Sequence, residues 1–256
     1  MARIFITGSS DGIGQAAVKL LCEQGHEVYP HARNAERASQ AKSAIPGAKD
    51  ILIADLSKQD ETKNLASQVN KLGPFDTIVH NAGLGFDTKP VTEGLAPVFV
   101  VNSLAPYILT CLLDRPKRLL YMSSSLHLGG DPSLEDMGWT SGKRTWDGFQ
   151  AYSDTKLQNV MLALAVSRGF HDVNVHAMDP GWVQTKMGGP GAPGGVAAPA
   201  RVLAAYAAGE HGLARSSGTY FNVQGLAEPL GAAKEVGRQE EFLRKCEEIC
   251  GLALSS

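Results

Sequence analysis

The sequence has few of the residues that would support a metal or disulfide site. Its four cysteines, Cys22, Cys111, Cys246 and Cys250, form no CxxC pair, and thiolate metal sites usually contain such a pair. The closest two have the spacing of one helical face. We therefore expect no metal site, and reduced cysteines with structural roles, as is usual in a cytoplasmic protein.

Charge of one sign and long apolar runs are also lacking. The chain has 24 Lys and Arg residues against 26 Asp and Glu residues, with a net charge of -2 at pH 7. It offers no basic field for nucleic acid and no polybasic patch for an anionic membrane. The apolar run after Arg3 is too short for a signal peptide or a membrane span. We expect small molecules or copies of the chain as partners, no nucleic acid and no membrane span.

Short apolar segments alternate with longer segments of helical periodicity. Strands are predicted at 3–7, 27–31, 50–53, 77–80, 118–123, 173–178 and 219–223, and helices at 13–24, 57–71 and 152–168. This alternation is typical of repeated βαβ units. It predicts a single α/β domain over residues 1–256, a doubly wound (Rossmann) fold with about seven parallel strands and helices on both faces. Ser57 and Asp60 have the spacing of a capping pair for the second helix.

Two segments read as loops, 129–148 and 188–199, and both follow strand ends. An open α/β sheet binds ligands at that side. The loops are predicted to form a substrate rim or lid, or else to be surface insertions only. Trp139, Trp146, Trp182 and Met187 lie in or near them, and they indicate either an apolar, bulky ligand or packing within a lid.

A glycine-rich turn lies between the first strand and the first helix, where Gly8, Gly12 and Gly14 are spaced as G-x-x-x-G-x-G. Glycines allow backbone amides to approach a pyrophosphate, and the helix amino terminus adds partial positive charge. The position of the turn favours a dinucleotide site over a plain tight turn.

This turn resembles the opening motif TGxxxGIG of the short-chain dehydrogenase/reductase family. Further family signatures follow in order over nearly the whole chain: Asp55-Leu56, Asn81-Ala82-Gly83, Asn102, Tyr152-Ser153-Asp154-Thr155-Lys156 and Pro180-Gly181. The resemblance implies a nicotinamide cofactor. It assigns to the cofactor site Gly8, Ser10, Asp11, Gly12, Ile13, Gly14, Asp55, Leu56, Asn81, Ala82, Gly83, Tyr152, Lys156, Pro180, Gly181, Val183 and Thr185.

Arg33 indicates which nicotinamide cofactor binds. An NAD-selective site places a carboxylate after the second strand, about twenty residues beyond the glycines, but the residues there are His31-Ala32-Arg33-Asn34. Arg33 could bind a 2′-phosphate through charge-assisted hydrogen bonds, so NADP(H) is favoured over NAD(H). The alternative is a solvated arginine at a helix start. Asp55, which the resemblance places at the adenine edge, could equally cap a loop.

Tyr152 and Lys156 are four residues apart and share one face of a predicted helix. An ammonium about 4 Å from a phenol could lower the phenol pKa by roughly three units at an effective dielectric of about 20. This makes the pair a candidate for proton transfer, although an isolated YxxxK pattern is more often a buried tyrosine with a solvated lysine.

The serines at the end of the fifth strand complete the candidate catalytic set. The resemblance assigns the substrate-orienting hydroxyl to Ser124, with Ser123 and Ser125 as competitors. The long interval before Tyr152 resembles the retinol-dehydrogenase-like branch, which also has a histidine where His127 stands here. We expect His127 to support the site rather than to touch substrate. Asn102 matches the family asparagine that distorts its helix and holds a water connected to the lysine.

The expected function is an NADP(H)-dependent oxidoreductase that interconverts a carbonyl and a secondary alcohol on a small to medium apolar substrate, as a reductase. The alternatives are a non-redox catalyst on the same scaffold, such as an isomerase, dehydratase or cyclase, and a non-catalytic nicotinamide sensor. The resemblance also implies a homodimer or homotetramer through the helix of Tyr152. The carboxyl-terminal segment 235–249 could instead cover that surface.

Overall fold

The fold is described by a computed structural model covering residues 1–86 and 94–255. It is a single α/β domain with one eight-stranded sheet in the order β3-β2-β1-β4-β5-β6-β7-β8. The strands are β1 (Arg3–Ile6), β2 (Glu27–Ala32), β3 (Leu52–Ile53), β4 (Thr77–His80), β5 (Arg118–Met122), β6 (Asn174–Asp179), β7 (Thr219–Asn222) and β8 (Gly225–Leu226). The first seven strands pair in parallel and β8 is antiparallel to β7. The predicted doubly wound fold is confirmed, and β8 is an addition.

Helices cover both faces of this sheet. They are α1 (Gly12–Glu23), α2 (Ala35–Ala44), α3 (Gln59–Leu72), α4 (Pro97–Phe99), α5 (Ala105–Leu112), α6 (Gly148–Gly169), α7 (Ala197–Ala208) and α8 (Val236–Cys250). A π-helical turn, Val100–Leu104, joins α4 to α5. Shorter 3₁₀ turns are Ser125–Gly129, Gly212–Arg215 and Gly231–Lys234.

The central strand β1 shows how the sheet divides the core. Ile4 and Ile6 pack into the cluster formed with α1 and α7, whereas Phe5 packs into the cluster formed with α3, α5 and α6. All three side chains are fully buried. Successive strand residues point to opposite faces, so a short apolar run supplies both cores of a three-layer domain.

The sheet changes winding direction between β1 and β4. From β1 the chain proceeds outward to β2 and β3, and then returns to β4 on the other side of β1. At such a switch point the connections diverge and leave a crevice beyond the carboxyl ends of the strands. The candidate site lies in this crevice.

The predicted cap of α3 is wrong. The helix begins at Gln59, with Lys58 at the cap position and no side-chain capping bond. Ser57 instead donates from its backbone N and its Oγ to Asp55 Oδ1, at 3.0 and 2.8 Å. The Asp55 carboxylate therefore closes the turn before α3, as the loop-cap alternative expected.

The segment 129–148 is organised around the guanidinium of Arg144. It forms ion pairs with Asp154 at 3.0 Å and Asp131 at 3.4 Å and lies 3.8 Å from the ring centroid of Trp139. Trp139 in turn meets Trp146 edge-on at 5.2 Å. The two tryptophans thus pack within the segment, which is the lid-packing alternative for these residues.

The segment 188–199 is bound to the chain that follows β6. Trp182 Nε1 donates to Gly188 O at 2.9 Å, and Gln184 N donates to Gly194 O at 2.8 Å. The loop ends earlier than predicted because α7 already begins at Ala197.

Helix α8 packs against α6. Phe242, Cys246 and Cys250 form its buried stripe, and Tyr107 Oη on α5 donates to Leu252 O just beyond it. The carboxyl-terminal segment therefore covers a face of the helix that carries Tyr152, as the alternative to a partner copy expected.

All four cysteines are free thiols. Within residues 1–86 and 94–255, no group of three His, Cys, Asp or Glu side chains is arranged to hold a metal ion. In the same residues, no helix combines the length and apolarity needed to cross a membrane.

Candidate active site

A cleft of about 890 Å³ follows the carboxyl ends of the central strands. Every residue predicted to bind the cofactor lines it except Gly181 and Val183, which lie in the chain segment along its edge. Residues from the glycine turn, from the ends of β2, β3 and β4, and from α6 thus come together although the sequence separates them widely. The predicted residues in the cleft are Gly8, Ser10, Asp11, Gly12, Ile13, Gly14, Arg33, Asp55, Leu56, Asn81, Ala82, Gly83, Tyr152, Lys156, Pro180 and Thr185.

The glycine turn needs glycines for two reasons. Gly8 has a φ of +59°, which side chains with a Cβ rarely adopt, and a Cβ there would lie 2.5 Å from Ala82 Cα. A Cβ at Gly14 would lie 2.5 Å from Asn81 Nδ2. The turn therefore lies directly against the segment after β4, and backbone rather than side chains forms the floor of the cleft.

Asn81 and Thr7 hold that contact together. Asn81 Nδ2 donates to Thr7 O at 2.8 Å and to Gly8 O at 2.9 Å. In return, Thr7 Oγ1 accepts from the backbone N of Asn81 and of Ala82. Asn81 lines the cleft, and its amide group supports the glycine turn.

His31 supports the same turn from β2. Its Nδ1 accepts from Gly8 N at 3.0 Å, and its Nε2 donates to Ala54 O at 2.9 Å. The ring is buried, and burial lowers the pKa of His31 from 6.5 to about 4. A neutral imidazole is required because a protonated Nδ1 could not accept from Gly8 N.

Three cations surround the outer end of the cleft. Arg37 and Lys186 each bind Asp11 Oδ2 at 2.9 Å. Burial by itself would raise the pKa of Asp11, but these two bonds and the hydrogen bond from Gly12 N together lower it to about 2. Arg33 forms no hydrogen bond or ion pair with any residue in the described part of the chain. The exposed Arg33 is therefore the cation available to an incoming anion.

Tyr152 and Lys156 are both buried on α6 and both line the cleft. Lys156 Nζ donates to Met122 O, at the end of β5, at 3.0 Å. It lies 5.3 Å from the centroid of the Tyr152 ring. The isolated-motif alternative, a solvated lysine, is excluded because Lys156 is 4% exposed.

The pKa values of this pair differ from the sequence-based expectation. Burial, assisted by the charge of Asp179 and opposed by a hydrogen bond with Ser124, raises the pKa of Tyr152 to about 12. Burial lowers the pKa of Lys156 to about 8, against the opposing charge of Asp179. The predicted lowering of the phenol pKa is wrong for this structure, and at neutral pH Tyr152 is a protonated donor.

The three serines after β5 have different environments. Ser123 Oγ donates to Lys156 O at 2.8 Å, in the core. Ser125 is exposed at the start of a 3₁₀ turn. Of the three, Ser124 is the one whose side chain lowers the pKa of the Tyr152 phenol through a hydrogen bond. Ser124 is half-buried, and Ser123 rather than Ser124 lines the cleft.

His127 holds the backbone beneath Ser124. Its Nδ1 donates to Ser124 O at 2.7 Å, while its Nε2 accepts from Leu230 N at 3.1 Å. The residue is 1% exposed. It joins the serine segment to the chain after β8 and does not line the cleft.

Asn102 lies in the π-helical turn and faces the lysine across Gly83. Its Oδ1 accepts from Leu84 N at 2.7 Å, and its Nδ2 donates to Leu84 O and to Thr155 Oγ1. A Cβ on Gly83 would lie 3.5 Å from Asn102 Oδ1 and 3.7 Å from Lys156 Nζ. Gly83 thus leaves space between the two side chains.

Asp179 is a buried acid that was not predicted as a site residue. It ends β6, and its Oδ1 accepts from Gly181 N at 2.8 Å. Its neighbour Met178 is in register with Met122, whose carbonyl binds Lys156. A charged residue directly before the Pro-Gly pair was the available signal.

Aromatic and thioether side chains border the catalytic end of the cleft. The Phe86 ring is edge-on to the Tyr152 ring at 5.4 Å and tilted against the Phe149 ring at 5.7 Å. Phe86 and Met187 both line the cleft. Neither phenylalanine was predicted as a site residue, although Phe86 follows Asn81-Ala82-Gly83 closely. Thr185, from the same segment as Met187, lies against the glycine turn, since a Cβ on Gly12 would be 3.4 Å from Thr185 Cγ2.

Comparison with known proteins gives consistent relatives. The family model "short chain dehydrogenase" matches residues 2–113. The chain is 52% identical to an uncharacterized oxidoreductase of Emericella nidulans over 99% of both chains. It is 40% identical to the short-chain dehydrogenase chry4 of Gibberella zeae over the full length of both.

Solved structures share the fold at lower identity. A putative uncharacterized protein from Mycobacterium paratuberculosis is 22% identical with a TM-score of 0.78, covering 100% of this chain and 96% of that one. A short chain dehydrogenase from Burkholderia cenocepacia, solved in complex with NADP, is 21% identical with a TM-score of 0.67, covering 91% and 98%. These similarities support the fold.

The buried His31 predicts an acid-sensitive stability. The pKa of His31 is lower in the folded chain than in the unfolded one. Its contribution to the unfolding free energy is therefore complete above pH 6.5 and is lost as the pH falls through about 4. The loss is about 3 kcal/mol of unfolding free energy at roughly 1.4 kcal/mol per pKa unit. Urea unfolding between pH 7 and pH 4 measures it, and His31→Gln, which keeps an acceptor but does not titrate, should flatten the slope.

The exposed His171 supplies the matched control. His171→Gln should keep the wild-type slope, and the buried His80 should leave a residual slope in every variant. Equal slopes in wild type and His31→Gln would contradict the assignment.

Proposed function

This chain belongs to the short-chain dehydrogenase family of oxidoreductases, and we propose that it is an NADP(H)-dependent enzyme that reduces a carbonyl on a small to medium apolar substrate to a secondary alcohol. The observation that carries this proposal is the buried Tyr152 that lines the cleft, with the half-buried Ser124 as its hydrogen-bond partner and Lys156 one helical turn away. Two hydroxyls that meet in a largely apolar pocket can hold a carbonyl oxygen and supply its proton.

In the proposed reaction, Ser124 and Tyr152 donate hydrogen bonds to the substrate carbonyl oxygen. These bonds strengthen as negative charge develops on that oxygen, which is where catalytic stabilisation is largest. A nicotinamide bound in the cleft would supply the hydride. Tyr152 then transfers its proton to the alkoxide, and its raised pKa keeps that proton in place beforehand. A protonated phenol suits the reduction of a carbonyl, and oxidation of an alcohol follows the reverse path.

Lys156 and Asn102 support the proton step. Lys156 Nζ, held by Met122 O, would stabilise the phenolate that remains on Tyr152. The space that Gly83 leaves between Lys156 and Asn102 could accept the water that the family resemblance implies. Through that water, a proton from solvent would restore Tyr152.

The cleft fits a dinucleotide cofactor because glycines open it where a Cβ would collide. The turn at Gly8 to Gly14 and the amino terminus of α1 would hold the pyrophosphate. The segments Asp55-Leu56 and Asn81 to Gly83 would hold the adenosine half and the ribose. Pro180, Gly181, Val183 and Thr185 would hold the nicotinamide carboxamide. The free guanidinium of Arg33 would bind a 2′-phosphate, and the structural relative from Burkholderia cenocepacia was solved with NADP.

The segments 129–148 and 188–199 would form the substrate rim. A cytoplasmic location is proposed because the four cysteines are free thiols. A homodimer or homotetramer is also proposed. Its interface would not include the face of α6 that α8 already covers.

Tyr152→Phe tests the proton donor. Loss of the hydroxyl should lower kcat for ketone reduction by at least about 100-fold, the usual scale of acid–base catalysis, while NADPH affinity stays unchanged. NADPH absorbance across a panel of ketones and alcohols measures turnover, and fluorescence titration measures binding. Undiminished turnover would refute the role of Tyr152; tight NADPH binding without any wild-type turnover would favour the non-redox or sensor alternatives.

Arg33→Ala tests the cofactor preference. Removing a charge-assisted contact worth about 1.5–3 kcal/mol should raise KM for NADPH roughly 10- to 100-fold and leave KM for NADH nearly unchanged. Arg201→Ala, at an exposed site on α7, is the matched control. An equal change for both cofactors would contradict a 2′-phosphate contact.

Asp179→Asn tests the electrostatics of the site. Asp179 favours the protonated forms of Tyr152 and Lys156, and its charge also reaches His127 and Tyr220. Reduction should decline as the pH rises through about 8, where Lys156 loses its proton. Without the carboxylate, that decline should begin about one pH unit lower, because the negative charge of Asp179 no longer raises the pKa of Lys156.

The control for this pH profile lies just before the same strand. Asp172→Asn removes an exposed carboxylate before the amino end of β6 and should leave the pH profile unchanged. A profile that is identical in Asp179→Asn and wild type would contradict the role of Asp179.

A further inference from the structure

The catalytic end of the cleft carries an exposed aromatic surface. Phe86 is 39% exposed, Phe149 is 53% exposed and Met187 is 43% exposed. Leaving such side chains in water costs about 25 cal/mol for each Å² of apolar area, and a cluster of them beside a cleft usually marks a binding surface. These three residues are called the aromatic rim below.

The aromatic rim is held in place by backbone contacts. A Cβ on Gly148 would lie 2.0 Å from Phe86 O, so glycine at this position allows the segment after β4 to approach the start of α6. Asp147 caps that helix by accepting from the backbone N of Phe149 and Gln150. Both rings are therefore positioned by the fold.

The position of the rim relative to the phenol defines what it can hold. The Phe86 ring is edge-on to Tyr152 at 5.4 Å. Met187 lies across the Gly83–Gly85 segment, because its Cε and Cγ would be 3.8 and 3.1 Å from a Cβ on these two glycines. A carbonyl bonded to Tyr152 would thus place its substituent between an aromatic ring and a thioether, both of which favour contact with flat aromatic groups.

The charges around this end of the cleft favour a neutral group. Among the described residues that line it, Leu84, Phe86, Pro97, Val101 and Met187 are apolar, and Lys156 is committed to Met122 O. The free cation Arg33 lies at the opposite end, with the cofactor residues. A charged or strongly polar substituent would lose its hydration without gaining a partner.

We propose that the substrate is an aryl ketone or aryl aldehyde, with a neutral aromatic ring directly attached to the carbonyl and seated on the aromatic rim. This inference rests on the proposed carbonyl reduction and specifies its substrate class. Hydride adds to the carbonyl carbon, the C=O double bond becomes a C–O single bond, and the oxygen receives the proton of Tyr152. The cofactor is the reductant, and the aromatic ring remains unchanged.

The test compares two ketones of nearly equal size, acetophenone and cyclohexyl methyl ketone. The ratio of their kcat/KM values is measured in wild type and in Phe86→Leu, which keeps an apolar side chain but removes the ring. Taking the change in this ratio cancels the intrinsic reactivity of each ketone. The ratio should shift about fivefold against acetophenone in Phe86→Leu, the scale of one aromatic pair contact. An effect of the substitution on Tyr152 changes both rates and cancels in the ratio.

Phe149→Leu provides a second variant on the exposed first turn of α6, where a change is compatible with folding. It should shift the ratio in the same direction by a smaller factor. Leu226→Ala, at an exposed apolar residue on β8 outside the cleft, is the control and should leave the ratio unchanged. An unchanged ratio in both phenylalanine variants, with activity retained, would overturn the inference while the proposed reduction stands.

A binding measurement separates the two proposals. Calorimetry with benzamide and cyclohexanecarboxamide, which need no turnover, should show tighter benzamide binding in wild type and not in Phe86→Leu. If neither ketone is reduced but this preference is found, the reductase proposal fails and recognition of the aromatic ring stands. If neither variant changes the benzamide preference, or wild type shows none, the aromatic rim has no role in recognition.

Discussion

The hydrogen bond from Lys156 Nζ to Met122 O is the interaction on which the site depends. An ammonium that is nearly inaccessible to water needs an acceptor, and this one lies at the end of β5. Asn159 Nδ2 donates to the same carbonyl, and Ser123 Oγ returns a bond to Lys156 O. One turn of α6 is thereby fixed to one strand end, which sets Tyr152 beside the serine that follows.

Burial also explains the protonation states of the pair. It disfavours both the phenolate and the ammonium, so the pKa of Tyr152 is raised and that of Lys156 is lowered. The carboxylate of Asp179 supports the protonated form of each. The site therefore holds a protonated phenol beside a buried lysine, and the aromatic rim places an apolar surface next to that phenol.

Local sequence patterns predicted much of this arrangement. The strand ranges were correct to within one or two residues, and the glycine motif correctly predicted a close backbone approach, as Gly8 against Ala82 demonstrates. The errors have physical causes. Strand β8 has only two residues and therefore shows no periodicity. Ser57 donates a hydrogen bond to Asp55 instead of capping α3. Trp139 packs on Arg144 rather than facing the cleft.

The sequence by itself determined the βα alternation and the presence of Tyr152 and Lys156 on one helical face, because strand and helix geometry fix periods of two and 3.6 residues. Only the tertiary structure decided that Ser124 interacts with Tyr152, that burial raises the phenol pKa, and that Asp179 and Phe86 lie beside the candidate catalytic residues. Those properties depend on burial and on contacts between residues far apart in the chain, and neither is encoded in local spacing.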